Sequence, residues 1–206
     1  MLRVVKHERL AAFAPVVAAG SVVNADLLVI SETVATGLGL RARRLLERVK
    51  LAAGNGGVTL IAPIDSLGPV LVPGVRHVDP HLASGLNVED RGAAMSKFVA
   101  EHLETSRPRI AHCFGFRGAL PCLIGGGAKC RIILEPGISP SQFLRMCEPE
   151  LRPEDIEELV ALEQKVLARA DAVIARTTVE TLALIQRGVE RDRVWTVPDG
   201  LAFDEP

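Results

Sequence analysis

Between residues 27 and 197 the chain alternates short apolar runs with longer stretches whose apolar residues recur at helical spacing, and nothing else constrains its fold as strongly. A run that is apolar throughout has no side to offer to water, so strands of this kind belong in a parallel sheet covered by helices on both faces. Leu27–Ser31 is such a run and predicts a first buried strand. Residues 32–39 follow as a glycine-containing turn, and 40–53 predict a helix whose buried side carries Leu45, Leu46, Val49 and Ala53. Asn55, Gly56 and Gly57 end it, because glycine readily takes the left-handed backbone that closes helices. A second strand is predicted at 58–62, two short extended pieces at 70–72 and 75–78, a helix at 91–105, a strand at 110–114 and a short helix at 119–124. Another strand at 130–134 leads into Glu135, Pro136 and Gly137. Pro153 opens a long helix in the first turn, where its missing N–H costs nothing. A strand at 172–175, a helix capped by Thr177 or Thr178 and running to Arg187, and a strand at 194–197 complete the series. The sum is an α/β domain of three layers, a mostly parallel sheet of about seven strands with helices on both faces.

Composition agrees with that architecture and excludes several functions. The 206 residues suffice for one domain with a sizeable core, and aromatics are only 3 % of them, so Ala, Val, Leu and Ile must build it. Lys and Arg number 24 against 25 Asp and Glu, which leaves no basic excess to neutralise nucleic-acid phosphates. Arg41, Arg43, Arg44, Arg48 and Lys50 do cluster, either as the wet face of a helix or as an anion or membrane-surface contact. The four cysteines show no CxxC spacing and no accompanying histidine cluster, so no metal site is expected. Cys113 and Cys130 read as small core residues of a protein kept in a reducing, cytoplasmic compartment. No apolar stretch approaches the roughly 20 residues needed to span a bilayer. Residues 1–24 form an N-terminal extension, loosely signal-like but broken by Glu8 and Pro15, and better read as a peripheral helix or an added strand.

The last third carries the most specific pattern. Ala170-Asp171-Ala172-Val173-Ile174-Ala175-Arg176-Thr177 is followed by a helix to Gly188-Val189, then by Arg193-Val194-Trp195-Thr196-Val197-Pro198-Asp199-Gly200. Upstream, Pro108-Arg109-Ile110-Ala111-His112 and the stretch from Gly37 to Leu46 follow in the same order. Together these resemble the first domain of family-4-type glycosyltransferases with the two-domain GT-B architecture. The resemblance implies a Rossmann-like N-terminal, acceptor-side domain over 25–203. It also implies that Pro198-Asp199-Gly200 is a hinge into a donor-binding C-terminal domain absent from this sequence. The implied chemistry is transfer of a sugar from a nucleotide-sugar co-substrate to an acceptor sugar or glycolipid, with no other cofactor and no metal. The implied location is cytoplasmic, with room for a peripheral membrane contact. Alone, such a half would lack the groups that stabilise the leaving diphosphate and would be inactive.

Ligands of open α/β sheets bind beyond the carboxyl ends of the strands, so the turns there hold the candidates. Glu32, Thr33, Gly37 and Gly39 belong to the first turn, which either lets a ligand approach the backbone or simply joins strand to helix. That turn is neither a GxGxxG nor a GK[ST] phosphate loop. His112 is either a core histidine or an acceptor contact. Glu135 stands where the resembled family usually has a histidine contacting the sugar, so it is either a general base or orienting carboxylate, or a loop-stabilising one. Gly137 shares its turn, and Arg176 is either a cleft residue or a surface ion-pair member. Glu135 and His112 are thus the catalytic candidates, with Glu32, Thr33, Gly37, Gly39, Gly137 and Arg176 as substrate-binding ones. The alternative functions are a non-catalytic partner subunit docking through an apolar patch around 197–203, and an unrelated doubly wound nucleotide-binding module.

Overall fold

The structure, a computed structural model, describes residues 27–31, 40–54, 57–64, 70–82, 88–124, 130–147, 150 and 152–198. Its elements run β1 (Leu27–Ser31), α1 (Leu40–Ala53), β2 (Val58–Ile61), β3 (Val75–Val78), α2 (Val88–Ser106), β4 (Ile110–Phe114), α3 (Phe116–Ile124), β5 (Arg131–Glu135), α4 (Pro140–Cys147), α5 (Pro153–Arg169), β6 (Ala172–Ala175), α6 (Thr178–Gln186) and β7 (Val194–Thr196). The strands form one sheet in the order β3-β2-β1-β4-β5-β6-β7, parallel at every pairing. This is the Rossmann-like α/β architecture that the alternating pattern requires.

Side chains alternate across the strands and feed two cores. On one face Val29, Val58 and Leu60 pack with Leu45 and Val49 of α1. On the other, Leu28, Ile30, Ala111, Ile132, Leu134 and Val173 meet Met95 and Val99 of α2, Ala119 of α3, Val166 and Leu167 of α5, and Leu184 of α6. Gly118 lets α3 lie close on the sheet, since a Cβ there would stand 3.4 Å from the Ile30 carbonyl oxygen. Cys113, Cys122 and Cys130 are buried in this second core, with the Cys113 and Cys122 sulfurs 3.9 Å apart, whereas Cys147 is exposed. The contact with Cys122 and then burial push the Cys113 thiol well up, and burial raises that of Cys130. Since the thiolate is the nucleophile, Ellman's reagent at pH 8 is expected to titrate Cys147 alone in the folded chain. The other three should react only after denaturant is added.

The closing sequence pattern has a structural explanation. The Asp171 carboxylate accepts a 2.8 Å hydrogen bond from Ile132 N while Asp171 N donates to Ile132 O, locking the start of β5 to the start of β6. Arg193 reaches back to the carbonyls of Leu167 and Ala170 and ties the approach to β7 to the end of α5. Thr177 caps α6, its hydroxyl accepting from Glu180 N at 3.0 Å. Thr177→Ala should therefore cost about 1 kcal/mol and lower the melting temperature by roughly 3 °C, measured by circular dichroism.

Several boundaries differ from the sequence reading. Residues 70–72 are not a strand: Val70 N donates to His77 Nδ1 at 2.7 Å, and the chain then turns at Gly74 before β3. The His77 Nε2 lies 2.9 Å from the Ala62 carbonyl, so the ring bridges the segments at Ala62 and Val70. α2 and α3 each begin three residues early, and β5 runs on to include Glu135. β7 ends at Thr196 instead of Val197. α4 was not foreseen. No helix among the described residues is long and apolar enough to cross a membrane.

Candidate functional site

The strand order reverses its direction of growth between β1 and β4, and the crevice of such a sheet opens there at the carboxyl ends. A cavity of about 290 Å³ occupies this place. Ser31, Phe114, Glu135 and Arg176 come to it from the ends of β1, β4, β5 and β6. The β5–α4 loop supplies Pro136, Gly137 and Ile138, α4 supplies Phe143, and Arg44 and Arg117 approach from α1 and α3.

Glu135 is its central acidic group and is only 6 % exposed. In register with Phe114, it lies on the sheet face that α1 covers. Its Oε2 is 3.6 Å from Arg48 Nε and 3.6 Å from His112 Nε2. Both separations exceed a hydrogen bond, and Oε2 and His112 Nε2 are left without hydrogen-bond partners among the described residues. That oxygen is itself closed off from solvent and turned toward Arg48 and His112, while the residue lines the cavity. His112 stacks on Phe114 with ring centroids 4.7 Å apart and does not line the cavity itself. It lies behind Glu135.

The loop carrying Gly137 is held from below. Glu163 of α5, 1 % exposed, accepts from Ser139 Oγ at 2.7 Å, Ser141 N at 2.7 Å, Ser141 Oγ at 2.9 Å and Arg187 Nη2 at 2.6 Å. The Arg187 guanidinium also lies over the Phe116 ring, 5.5 Å from its centroid. Gly137 has φ +61°, a left-handed turn that suits glycine and directs the chain from β5 into α4. Arg176 lines the cavity and is held by Glu180 through contacts of 2.6 Å and 3.3 Å, so it is both a cleft residue and an ion-pair member. Burial opposes ionisation of Glu180, but the hydrogen bonds and charge of Arg176 outweigh it and lower its pKa.

Glu135, Gly137 and Arg176 are thus brought to one cavity, with His112 behind it. Glu32, Thr33, Gly37 and Gly39 lie outside the described residues. Sequence reasoning missed Arg44, Arg48, Arg117 and the whole Glu163 network. Arg44 and Arg48 belong to the basic cluster of α1; their i, i+4 spacing puts them on one side, turned toward the sheet end, while Arg43 and Lys50 face water. Among the described residues no three His, Cys, Asp or Glu side chains gather as a metal ion would require.

Comparison with known proteins gives this geometry a family. Residues 36–200 match the glycosyl transferase 4-like domain. No curated protein sequence matches the chain. Among solved structures, the chain is similar to sucrose-phosphate synthase from Thermosynechococcus elongatus, with TM-score 0.67 and 14 % identity over 85 % of this chain and 48 % of that one. The lipopolysaccharide outer core galactosyltransferase WaaB gives TM-score 0.59 and 13 % identity over 85 % and 46 %. A UDP-N-acetylglucosamine 2-epimerase structure from Listeria monocytogenes gives 0.58 and 13 % over 83 % and 44 %. At these identities the likeness concerns the fold, and the chain spans about half the length of these structures. Matched over most of its length, the chain belongs to the glycosyl transferase 4-like domain family.

Proposed function

We propose that this chain is the acceptor-side domain of a glycosyltransferase, and that the cavity around Glu135 holds the hydroxyl group that receives the sugar. The observation that supports this is the Glu135 carboxylate, which lines the cavity at the switch point of the sheet. A sugar hydroxyl donates to the Glu135 carboxylate and is thereby oriented for attack on the donor's anomeric carbon. His112 and Arg48 flank the carboxylate and fix its position. The donor is a nucleotide sugar acting as co-substrate, without a further cofactor or metal. Its diphosphate is held mainly by a second domain of the kind that completes the longer structures, and the arginines around the cavity present a compatible positive rim. The chain by itself then binds acceptor and transfers nothing.

Calorimetric titration of the chain with UDP-glucose and with GDP-mannose tests the division of labour. Dissociation constants near or above roughly 1 mM, about −4 kcal/mol, are expected for both. Micromolar binding of either nucleotide sugar to this chain would assign donor recognition here and contradict the reading.

A further inference from the structure

Between Gly137 and Cys147 the only buried residues are Ser139 and Ser141. This stretch, the turn after β5 and the whole of α4, forms one wall of the Glu135 cavity through Gly137, Ile138, Pro140 and Phe143. A short helix is ordinarily seated by an apolar side, yet here Ile138 and Phe143 are each 52 % exposed and Met146 is 81 % exposed. Apolar contact is non-directional and would let such a helix slide, whereas hydrogen bonds fix its place.

The bonds that fix this wall converge on one carboxylate from another element. Glu163 of α5 accepts from both serine hydroxyls and from Ser141 N, three bonds to the wall. Its fourth donor is Arg187, whose guanidinium lies over Phe116, a second residue lining the same cavity. Glu163 itself does not line that cavity. A buried ion pair is often no more stabilising than apolar residues of similar volume, so what this one contributes is position. We infer that Glu163 is a positioning residue for the acceptor: it holds the 137–143 wall and, through Arg187, Phe116 in the arrangement that receives the sugar, without touching the sugar. This rests on the acceptor reading above and adds to it a residue that shapes the site from beneath.

The test is a nitrogen-15 NMR titration of the labelled chain with maltose, run well below the melting temperature of each variant. Ser139→Ala with Ser141→Ala frees the wall and leaves the ion pair, while Glu163→Leu with Arg187→Met removes both charges. Each double variant should weaken the saturating response of Gly115 and Glu135 by about tenfold, because a wall that has to be ordered on binding lowers affinity. Val99→Ala, a truncation in the core under α2, lowers the melting temperature and should bind maltose as the parent does. Parent-like affinity in either folded double variant overturns the inference. Equal weakening in Val99→Ala overturns it too, since the effect would then be one of stability alone. Should the charge variant fail to fold, the serine variant decides. A parent chain with no saturable response overturns the acceptor reading and the inference with it, and that failure is told apart because it needs no variant.

Discussion

Under the proposed acceptor role, Glu135→Gln is expected to lower kcat/KM for sugar transfer by about a hundredfold in a protein that pairs this chain with a donor-binding domain. The glutamine keeps the shape of the side chain and can still accept from a hydroxyl, but it is neutral and its amide nitrogen can only donate. The oxygen that Arg48 and His112 flank at 3.6 Å then loses the charge that defines its position. Misplacing a reacting hydroxyl by about 1 Å is enough for a hundredfold loss. The change should fall on the acceptor's KM as well as on kcat, because the carboxylate both holds the hydroxyl and orients it. His112→Phe, which keeps the stack on Phe114 and removes the imidazole nitrogen, should reduce the rate by a smaller factor, since His112 touches the carboxylate and not the cavity. Steady-state kinetics of the two variants side by side provides the measurement, and equal losses would remove Glu135 from its special place.

The largest expected effect on stability belongs to Glu163→Ala. The substitution leaves Arg187 without its carboxylate and strands the donors of Ser139 and Ser141, all in a region where Glu163 itself is 1 % exposed. Breaking one side of a buried ion pair costs about 3–5 kcal/mol, a large part of the 5–15 kcal/mol that a domain has in total. For a chain of this size the melting temperature should fall by roughly 10 °C. The double substitution Glu163→Leu with Arg187→Met removes both charges together and should recover much of the loss, because hydrophobic replacement of a buried pair is often neutral. It would not restore the β5–α4 loop, whose Ser139 and Ser141 depend on the carboxylate. Differential scanning calorimetry of the single and double variants separates the two contributions.

The fold was largely legible because its strands are apolar on both faces. Leu27–Ser31 and Ala172–Ala175 have no alternating pattern to confuse with a surface strand, and both lie where the sequence put them. Residues 70–72 misled for the same reason: Val70, Leu71 and Val72 look like a strand, yet Val70 is held by the His77 ring and Leu71 is left exposed. α4 escaped because it has eight residues and no long apolar repeat. Ser139-Pro140-Ser141 was its available signal, a proline at the first helical position.

The site was legible where position along a strand decides it. Glu135 ends one strand and Arg176 follows another, and the carboxyl ends of parallel strands share one crevice. What stayed hidden depends on contacts across the fold. Nothing near Glu163 in sequence announces Ser139, 24 residues away, or Arg187, 24 residues on the other side. The turn of Arg44 and Arg48 toward the sheet end likewise depends on how α1 packs, which its charges alone do not reveal.

The central claim is that the Glu135 cavity receives an acceptor hydroxyl, and a nitrogen-15 NMR titration of the labelled chain tests it most directly. With neutral mono- and disaccharides, the amides of Gly115, Phe116, Glu135, Gly137 and Arg176 should shift in concert and saturate together, and the response should be lost in Glu135→Gln. Saturable shifts confined to residues away from this cavity, or the same response in the Glu135→Gln chain, would contradict the account.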